Sequence, residues 1–321
     1  MVSFIIRTKN EEKEIENTLK AIRKQDTTEQ IEVILIDSGS QDNTINIAKK
    51  YVDKIIEISE EDFSWGYALN LGIEQSEGEF ICIISGHCIL VSDKTIENAI
   101  NILKNRDIVA LYGMQKGRKE KDVFEFNELC KDYPINEYYE YGLDELESGK
   151  NIGVSNACCL LKKSIWKNYK YNEEVQSAED GYWAYEVCEN NYRLAYSSKF
   201  AVYHGHNFNI SYIYKKWYWR IFYVNQIKKN NMTLRRSRLY FILKFLVAKP
   251  MIDTMRYQNN FKKINVKISI IDNLLFHIIK GIAIYNAFID LKKIIGNKQK
   301  YEELRIPKIV LQLQKYIKYS V

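Results

Sequence analysis

The first ninety residues constrain the fold most. Four short runs rich in apolar residues, at 2–6, 31–36, 54–58 and 80–84, alternate with segments whose apolar residues recur at helical spacing. Between residues 10 and 25, for example, Ile15, Leu19 and Ile22 mark one helix face, and Asn10 is placed to cap it. Helices are predicted likewise over 44–51 and 67–75. Runs this short and this apolar read as strands buried on both faces. Strands that alternate with helices form a parallel sheet covered by helices on each side. The chain has 321 residues and 46% hydrophobic content, enough for a large domain with an appendage.

Each informative strand ends in a polar cluster. These are Arg7-Thr8-Lys9-Asn10-Glu11, Asp37-Ser38-Gly39-Ser40-Gln41-Asp42 and Ser85-Gly86-His87. In open α/β sheets ligands gather at the carboxyl ends of strands, where short polar side chains and glycine let a nucleotide approach the backbone. Asp37 is suited to accept a hydrogen bond from the imide N–H of a uracil-type or thymine-type base. Taken singly, each cluster reads better as an ordinary turn with a helix cap, as Ser40, Asp42 and Asn43 supply after the second strand. Three at one sheet edge favour a nucleotide site. The chain has no GxxxxGK[ST] loop and no GxGxxG after the first strand, which counts against P-loop kinases and ordinary dinucleotide dehydrogenases.

Beyond residue 115 the pattern loosens. Residues 115–153 are acidic and tyrosine-rich and read as an active-site flap. Order returns over 154–205, where Glu179-Asp180 opens a helix predicted at 181–189. An acidic pair there also suits the helix macrodipole. Helices follow at about 211–230, 237–259 and 268–296. The net charge of +6 conceals a split: residues 1–205 carry 24 basic and 36 acidic side chains, and residues 206–321 carry 23 and 5. In the basic part, YIYKKWYWRIFY at 212–223 interleaves aromatic and cationic residues, and Arg235, Arg236 and Arg238 add to it. An interfacial helix pair on anionic lipid is the favoured reading. A structural or dimer-forming subdomain and a nucleic-acid surface are the alternatives, the last being disfavoured. Six cysteines without a CxxC pair, and no secretory signal, point to the reducing cytosol. No uninterrupted apolar run reaches bilayer-spanning length; the nearest, 268–291, is broken by Asp272, His277, Lys280 and Asp290.

Four segments, VSFIIRTKNEE, VILIDSGSQDNT, WGYALNLGIEQSEGEFICIISGHC and SAEDGYWAYEV, together resemble the family 2 GT-A glycosyltransferases over residues 1–206. The resemblance implies an α/β GT-A fold, mainly parallel, with 1–206 as the catalytic domain and 207–321 as a basic helical extension. It implies a nucleotide-sugar donor, with Thr8, Glu11 and Asp37 at the nucleoside and Asn70 and Ser85 on the donor side. Asn156 and Trp183 fall on the acceptor side, Trp183 stacking on a sugar or serving the core. The family's metal-binding DxD falls at Ser85-Gly86-His87, so both aspartates are missing. His87, paired with His204 or with His206, is then the candidate ligand set for Mn²⁺ or Mg²⁺, imidazole favouring Mn²⁺. Without a metal, Arg118, Lys119 or Lys121 would screen the diphosphate.

Asp180, with Glu179 beside it, takes the position of the catalytic base of inverting relatives. The implied activity is inverting transfer of a hexosyl or deoxyhexosyl group to a saccharide or lipid-linked acceptor in bacterial surface-polysaccharide synthesis, of a rhamnosyltransferase-like kind. The expected location is the cytoplasm, peripheral on the inner face of the membrane, with a homo-oligomer left open. Two rival functions remain at this level. One is a metal-dependent hydrolase using His87, His204 and Asp180. The other is a non-catalytic nucleotide-sugar or nucleic-acid binding module.

Overall fold

The computed structural model describes residues 1–148, 154–175, 177–227, 240, 242–263, 266–297 and 307. The chain divides into two compact units, Met1–His206 and Asn207–Val321.

The first unit is built on one nine-stranded sheet. Its strands are β1 (Val2–Thr8), β2 (Ile31–Asp37), β3 (Lys54–Glu57), β4 (Phe80–Ser85), β5 (Ile89–Leu90), β6 (Ala110–Gly117), β7 (Tyr138–Tyr141), β8 (Cys158–Lys162) and β9 (Leu194–His204). They lie in the order β3-β2-β1-β4-β8-β6-β9-β5, with β7 also paired to β9. The first four strands are mutually parallel, as the crossover helices between them require. β8 runs antiparallel between β4 and β6, so the sheet is mixed.

Helices α1 (Ile15–Arg23), α2 (Thr44–Ala48), α3 (Trp65–Glu74), α4 (Thr95–Asn105), α5 (Val123–Asp132), α6 (Leu143–Glu147), α7 (Lys163–Trp166) and α8 (Glu179–Glu189) complete the unit. Alternate strand residues feed two apolar layers. Ile5, Ile34 and Ile83 pack with Leu69 of α3 and Trp183 of α8. Phe4, Val33 and Cys82 pack with Leu19 of α1 and Ile100 of α4. That two-sided burial is why these strands read as unbroken apolar runs.

Two local expectations are corrected. Asn10 does not cap α1: it sits in the left-handed region at φ 55°, and its side chain accepts a hydrogen bond from the Gln41 N–H at 2.8 Å. The helix starts five residues later. The stretch read as a flap holds α5, β7 and α6, because β7 finds β9 as a partner its own sequence does not announce. Residues 149–153 of that stretch lie outside the described residues.

The second unit holds α9 (Ile210–Ile227), a π-helical stretch (Ile242–Ala248), α10 (Lys249–Lys263) and α11 (Ile270–Asn297). Tyr214, Tyr218, Trp219 and Phe222 of α9 are buried. Tyr218 donates to Asp290 at 3.0 Å, and Asn286 donates to the Tyr214 hydroxyl at 2.8 Å. The aromatic residues read as an interfacial belt therefore form much of the unit's interior. Arg235, Arg236 and Arg238 lie outside the described residues. Residues Ile270–Leu291 are long and apolar enough by length and composition to cross a bilayer, but more than half of that stretch is buried inside the protein. Gly281 lets α11 approach the π-helical stretch, since a Cβ there would stand 2.0 Å from the Phe245 carbonyl oxygen.

His277 of α11 is 2% exposed, and neither ring nitrogen has a hydrogen-bond partner. Burial pushes its pKa down to about 3; nearby Lys280 and Lys249 add to this, and Asp253 opposes it. The unfolded chain, with an ordinary histidine pKa near 6.5, therefore takes up the proton first. Stability from this group is complete above pH 6.5 and is lost as pH falls toward 3, at about 1.4 kcal/mol per pH unit. Between pH 7.5 and 5 the chain should lose about 2 kcal/mol from this source. In His277→Leu that part of the pH slope should vanish, as measured by chemical unfolding at the two pH values.

Candidate active site

The sheet register brings the three polar strand ends together. Thr8 stands opposite Asp37, and Arg7 stands opposite Ser85. The β2 end is a tight turn. One Asp37 oxygen accepts the N–H groups of Gly39 and Ser40 at 3.0 and 2.7 Å, and the other accepts the Ser40 hydroxyl at 2.5 Å. Gly39 sits at φ 86°, a region that favours glycine. Asp37 is fully buried, so in this conformation its carboxylate builds the turn; the expectation that it faces a base is corrected accordingly. Thr8 is 5% exposed, and its hydroxyl has no hydrogen-bond partner. Gly86 leaves space beside it, where a Cβ would come to 3.0 Å from the Thr8 hydroxyl.

A histidine cluster follows β4. His87 faces Glu11 through Nδ1 at 2.7 Å and His204, from the end of β9, through Nε2 at 3.1 Å. His206 completes a triangle of rings, with centroids 4.7 Å from His87 and 4.8 Å from His204. Its Nδ1 lies 3.1 Å from both oxygens of Glu125, and its backbone N–H donates to Glu125 at 2.7 Å. With Glu11 accepting the Nδ1 proton, the His87 Nε2 lone pair points at His204. Two nitrogens each about 2.1 Å from one cation, at right-angle to tetrahedral spacing, stand about 3.0–3.4 Å apart. The observed 3.1 Å suits that arrangement. It equally suits a shared N–H···N hydrogen bond when no ion is bound.

A carboxylate behind a ligating histidine fixes the ring and raises its basicity. In this conformation one oxygen of Glu11 pairs with His87, and its side chain stays partly exposed. Cys88 also reaches the cluster, its sulfur within 4.8 Å of the histidine nitrogens. Burial pushes the Cys88 thiol up to about 12, so with no cation beside it the group stays protonated.

Glu179 and Asp180 open α8, after Ala178 at φ 64°, a left-handed conformation uncommon for alanine. Asp180 is partly exposed. Its carboxylate accepts the N–H groups of Gly181 at 2.7 Å and Asn156 at 3.2 Å. Burial first, and the adjacent Glu179 charge second, push Asp180 up to about 7. Glu179 is buried and held by Arg7 at 3.0 Å and by the Asn156 side chain at 3.3 Å. Asn156 in turn accepts the Tyr171 hydroxyl at 3.1 Å. Asn156 is 1% exposed, so it positions the carboxylates and does not face an acceptor.

One further expectation is corrected, for Asn70, and of the two readings of Trp183 the core one holds. Asn70 is buried with every side-chain group engaged: it donates to Tyr171 O and Glu173 and accepts from Trp166 Nε1 and Tyr171 N. It ties α3 to the 166–173 segment and presents nothing to a donor. Trp183 is 1% exposed, stacks near Tyr171 and donates to Tyr169 O at 2.7 Å, so it belongs to the core. Arg118 and Lys121 are both paired with Glu14, which leaves neither as a dedicated diphosphate screen.

Sequence reasoning missed Arg7 and Glu125. The Arg7 guanidinium bridges the strand-end cluster to Glu179 and lies 4.5 Å over the half-exposed Trp65 ring. Glu125 is 4% exposed in the first turn of α5, which Asp122 caps. Neither carried a signal beyond its residue type, since each partner is distant in sequence.

Comparison with known proteins identifies the family and the fold. A family model described as glycosyl transferase family 2 matches residues 3–169. The O-antigen chain rhamnosyltransferase WbaN of Salmonella anatum is 25% identical over 59% of this chain and 60% of its own length. Among solved structures, Staphylococcus aureus TarS in complex with UDP-GlcNAc aligns over 94% of this chain and 93% of its own, with TM-score 0.55 and 19% identity. The mannosyltransferase PcManGT of Pyrobaculum calidifontis, in complex with GDP-Man and Mn²⁺, aligns over 98% and 79%, with TM-score 0.53 and 16% identity. The fold is that of these GT-A enzymes, and the chain belongs to glycosyl transferase family 2.

Proposed function

We propose that this protein is an inverting glycosyltransferase that moves a sugar from a nucleotide diphosphate to a hydroxyl of a saccharide or lipid-linked acceptor, in bacterial surface-polysaccharide synthesis. The observation that carries the reading is the Arg7–Glu179 pair at 3.0 Å, which joins the nucleotide-type strand ends to the Asp180 carboxylate. The donors and the ion named for the TarS and PcManGT complexes support a nucleotide sugar with a divalent cation.

Asp180 takes the proton of the acceptor hydroxyl as that oxygen bonds to the anomeric carbon and the bond to the diphosphate breaks. A carboxyl with a pKa near 7 suits this, because a base is most effective when its pKa lies near the working pH. Arg7 holds Glu179 in place, and Asn156 fixes both acids. Thr8, Ser85 and the turn shaped by Asp37 and Ser40 receive the nucleoside. His87 and His204, backed by Glu11, are the residues that would hold a divalent cation, with His206 backed by Glu125 beside them. Such an ion offsets the negative charge that grows on a leaving diphosphate. The proposed place of work is the cytoplasmic face of the membrane, in keeping with a nucleotide-sugar donor.

The test is a thermal-unfolding screen of the full chain with nucleoside diphosphates and nucleotide sugars, with and without Mn²⁺. A ligand that binds only the native state at a hundred times its Kd stabilises by about 2.7 kcal/mol. One nucleotide family should raise the midpoint by several degrees, and its sugar form should release nucleoside diphosphate when an acceptor is added. A chain that responds to no nucleotide, or that binds zinc and turns over simple esters, is not this enzyme.

A further inference from the structure

The helical unit carries an apolar stripe that faces outward. Leu243, Val247, Met251 and Met255 recur every four residues along the π-helical stretch and α10, and Ile252 adjoins them. These five side chains are between 48% and 65% exposed. The same helical stretch buries Phe245, Pro250, Tyr257 and Phe261 on its other side. It therefore has a second apolar face beyond the one its own core uses. Ile270 and Ile271, at the start of α11, are exposed as well, at 61% and 65%.

The charges beside the stripe have one sign. Lys244, Arg256, Lys262, Lys263 and Lys267 are exposed. The acids on α10 and at the start of α11, Asp253 and Asp272, are 5% and 6% exposed. Asp253 is bound to Lys249 at 2.9 Å, and Asp272 accepts the Ser269 hydroxyl at 2.7 Å. Among the described residues of this unit no acidic side chain is exposed.

We infer that this stripe, with its cationic border, docks the protein on an anionic lipid surface. An apolar helix face bordered only by cations is the pattern that seats a helix at headgroup depth. A nucleic-acid backbone would match the cations and leave the aliphatic stripe without a partner. Aromatic residues that stack on bases are absent from the stripe, and Phe245, Tyr257 and Phe261 point inward. A second copy of the same face would set like charges against each other. The inference deepens the membrane reading above and moves it from the aromatic segment of α9, where Tyr214, Tyr218, Trp219 and Phe222 are packed inside, to the π-helical stretch and α10.

The experiment is vesicle flotation of the full chain on phosphatidylcholine alone and on phosphatidylcholine with phosphatidylglycerol. Two variants are compared: Leu243→Gln/Val247→Gln/Met251→Gln/Met255→Gln, and Lys244→Glu/Arg256→Glu/Lys262→Glu/Lys263→Glu. The native chain should bind anionic vesicles at least tenfold more tightly than neutral ones and lose binding as salt rises. Each variant should weaken anionic binding about tenfold or more. Both should keep the nucleotide-induced rise in unfolding midpoint, which shows that they are folded. Three results overturn the inference: a glutamine variant that binds vesicles like the native chain, a native chain that floats with neither vesicle, or a native dimer that the glutamine variant dissolves while vesicle binding persists. Vesicle binding without any nucleotide response would sink the glycosyltransferase reading and leave the lipid surface standing.

Discussion

Asp180→Asn is expected to remove all but a small residue of sugar transfer while leaving donor binding unchanged. Removing a positioned general base typically costs about 10²–10⁴ in rate, and the amide keeps the size and most contacts of the carboxyl. Three readouts separate this from damage to the fold. First, the native rate should rise with pH through about 7, where Asp180 loses its proton, and the Asn variant's residual rate should lack that limb. Second, thermal stability at pH 8 should be retained. The raised pKa means that the folded state holds the Asp180 proton more tightly than the unfolded state, so ionisation between the ordinary aspartate pKa and 7 costs stability. The amide removes that cost, which offsets the one N–H donor left facing an NH₂ group. Third, the nucleotide-induced shift in midpoint should match the native one. An Asn variant that transfers sugar at the native rate removes Asp180 as the base.

The sheet and the strand-end clusters were legible because burial on both faces forces apolar runs, and parallel connection forces their polar ends to one edge. Thr8, Asp37 and Ser85 were found by that logic, yet their roles were not. Whether a carboxylate faces a ligand or closes its own turn depends on a few backbone angles, and Asp37 shows the second outcome. Arg7 and Glu125 were not legible because their partners, Glu179 and His206, lie 172 and 81 residues away. Asn70 was misread for the converse reason, and for Trp183 packing decided between the two readings its sequence allowed. Both sit in segments that resemble the family's, but partners from 166–173 claim every polar side-chain group they have.

The basic helices give the sharpest case. Tyr214, Tyr218 and Phe222 recur at four-residue spacing, as do Leu243, Val247, Met251 and Met255. Periodicity announces an apolar face in each and is silent on whether another helix covers it. Tertiary packing covers the first and leaves the second open.

His87→Ala is expected to raise the Mn²⁺ concentration needed for donor binding by about a hundredfold or more, since it removes one ligand of the proposed set and leaves His204 alone on that side. Glu11→Gln tests the carboxylate behind it. Glutamine can still accept the Nδ1 proton, but without the charge that raises the ring's basicity, so a loss of about 10–100-fold is expected. The donor set itself predicts selectivity. The proposed set offers imidazole nitrogens from His87 and His204, and nitrogen donors favour Mn²⁺ over Mg²⁺, so Mg²⁺ should support donor binding poorly at equal concentration. The measurement is calorimetric titration of nucleoside diphosphate into the full chain at a series of Mn²⁺ and Mg²⁺ concentrations, which reads binding without requiring turnover. A His87→Ala variant with the native Mn²⁺ dependence would mean that the 3.1 Å pair is an N–H···N hydrogen bond between His87 and His204 that merely closes the end of β9 against β4, and that the diphosphate's charge is met elsewhere in the site.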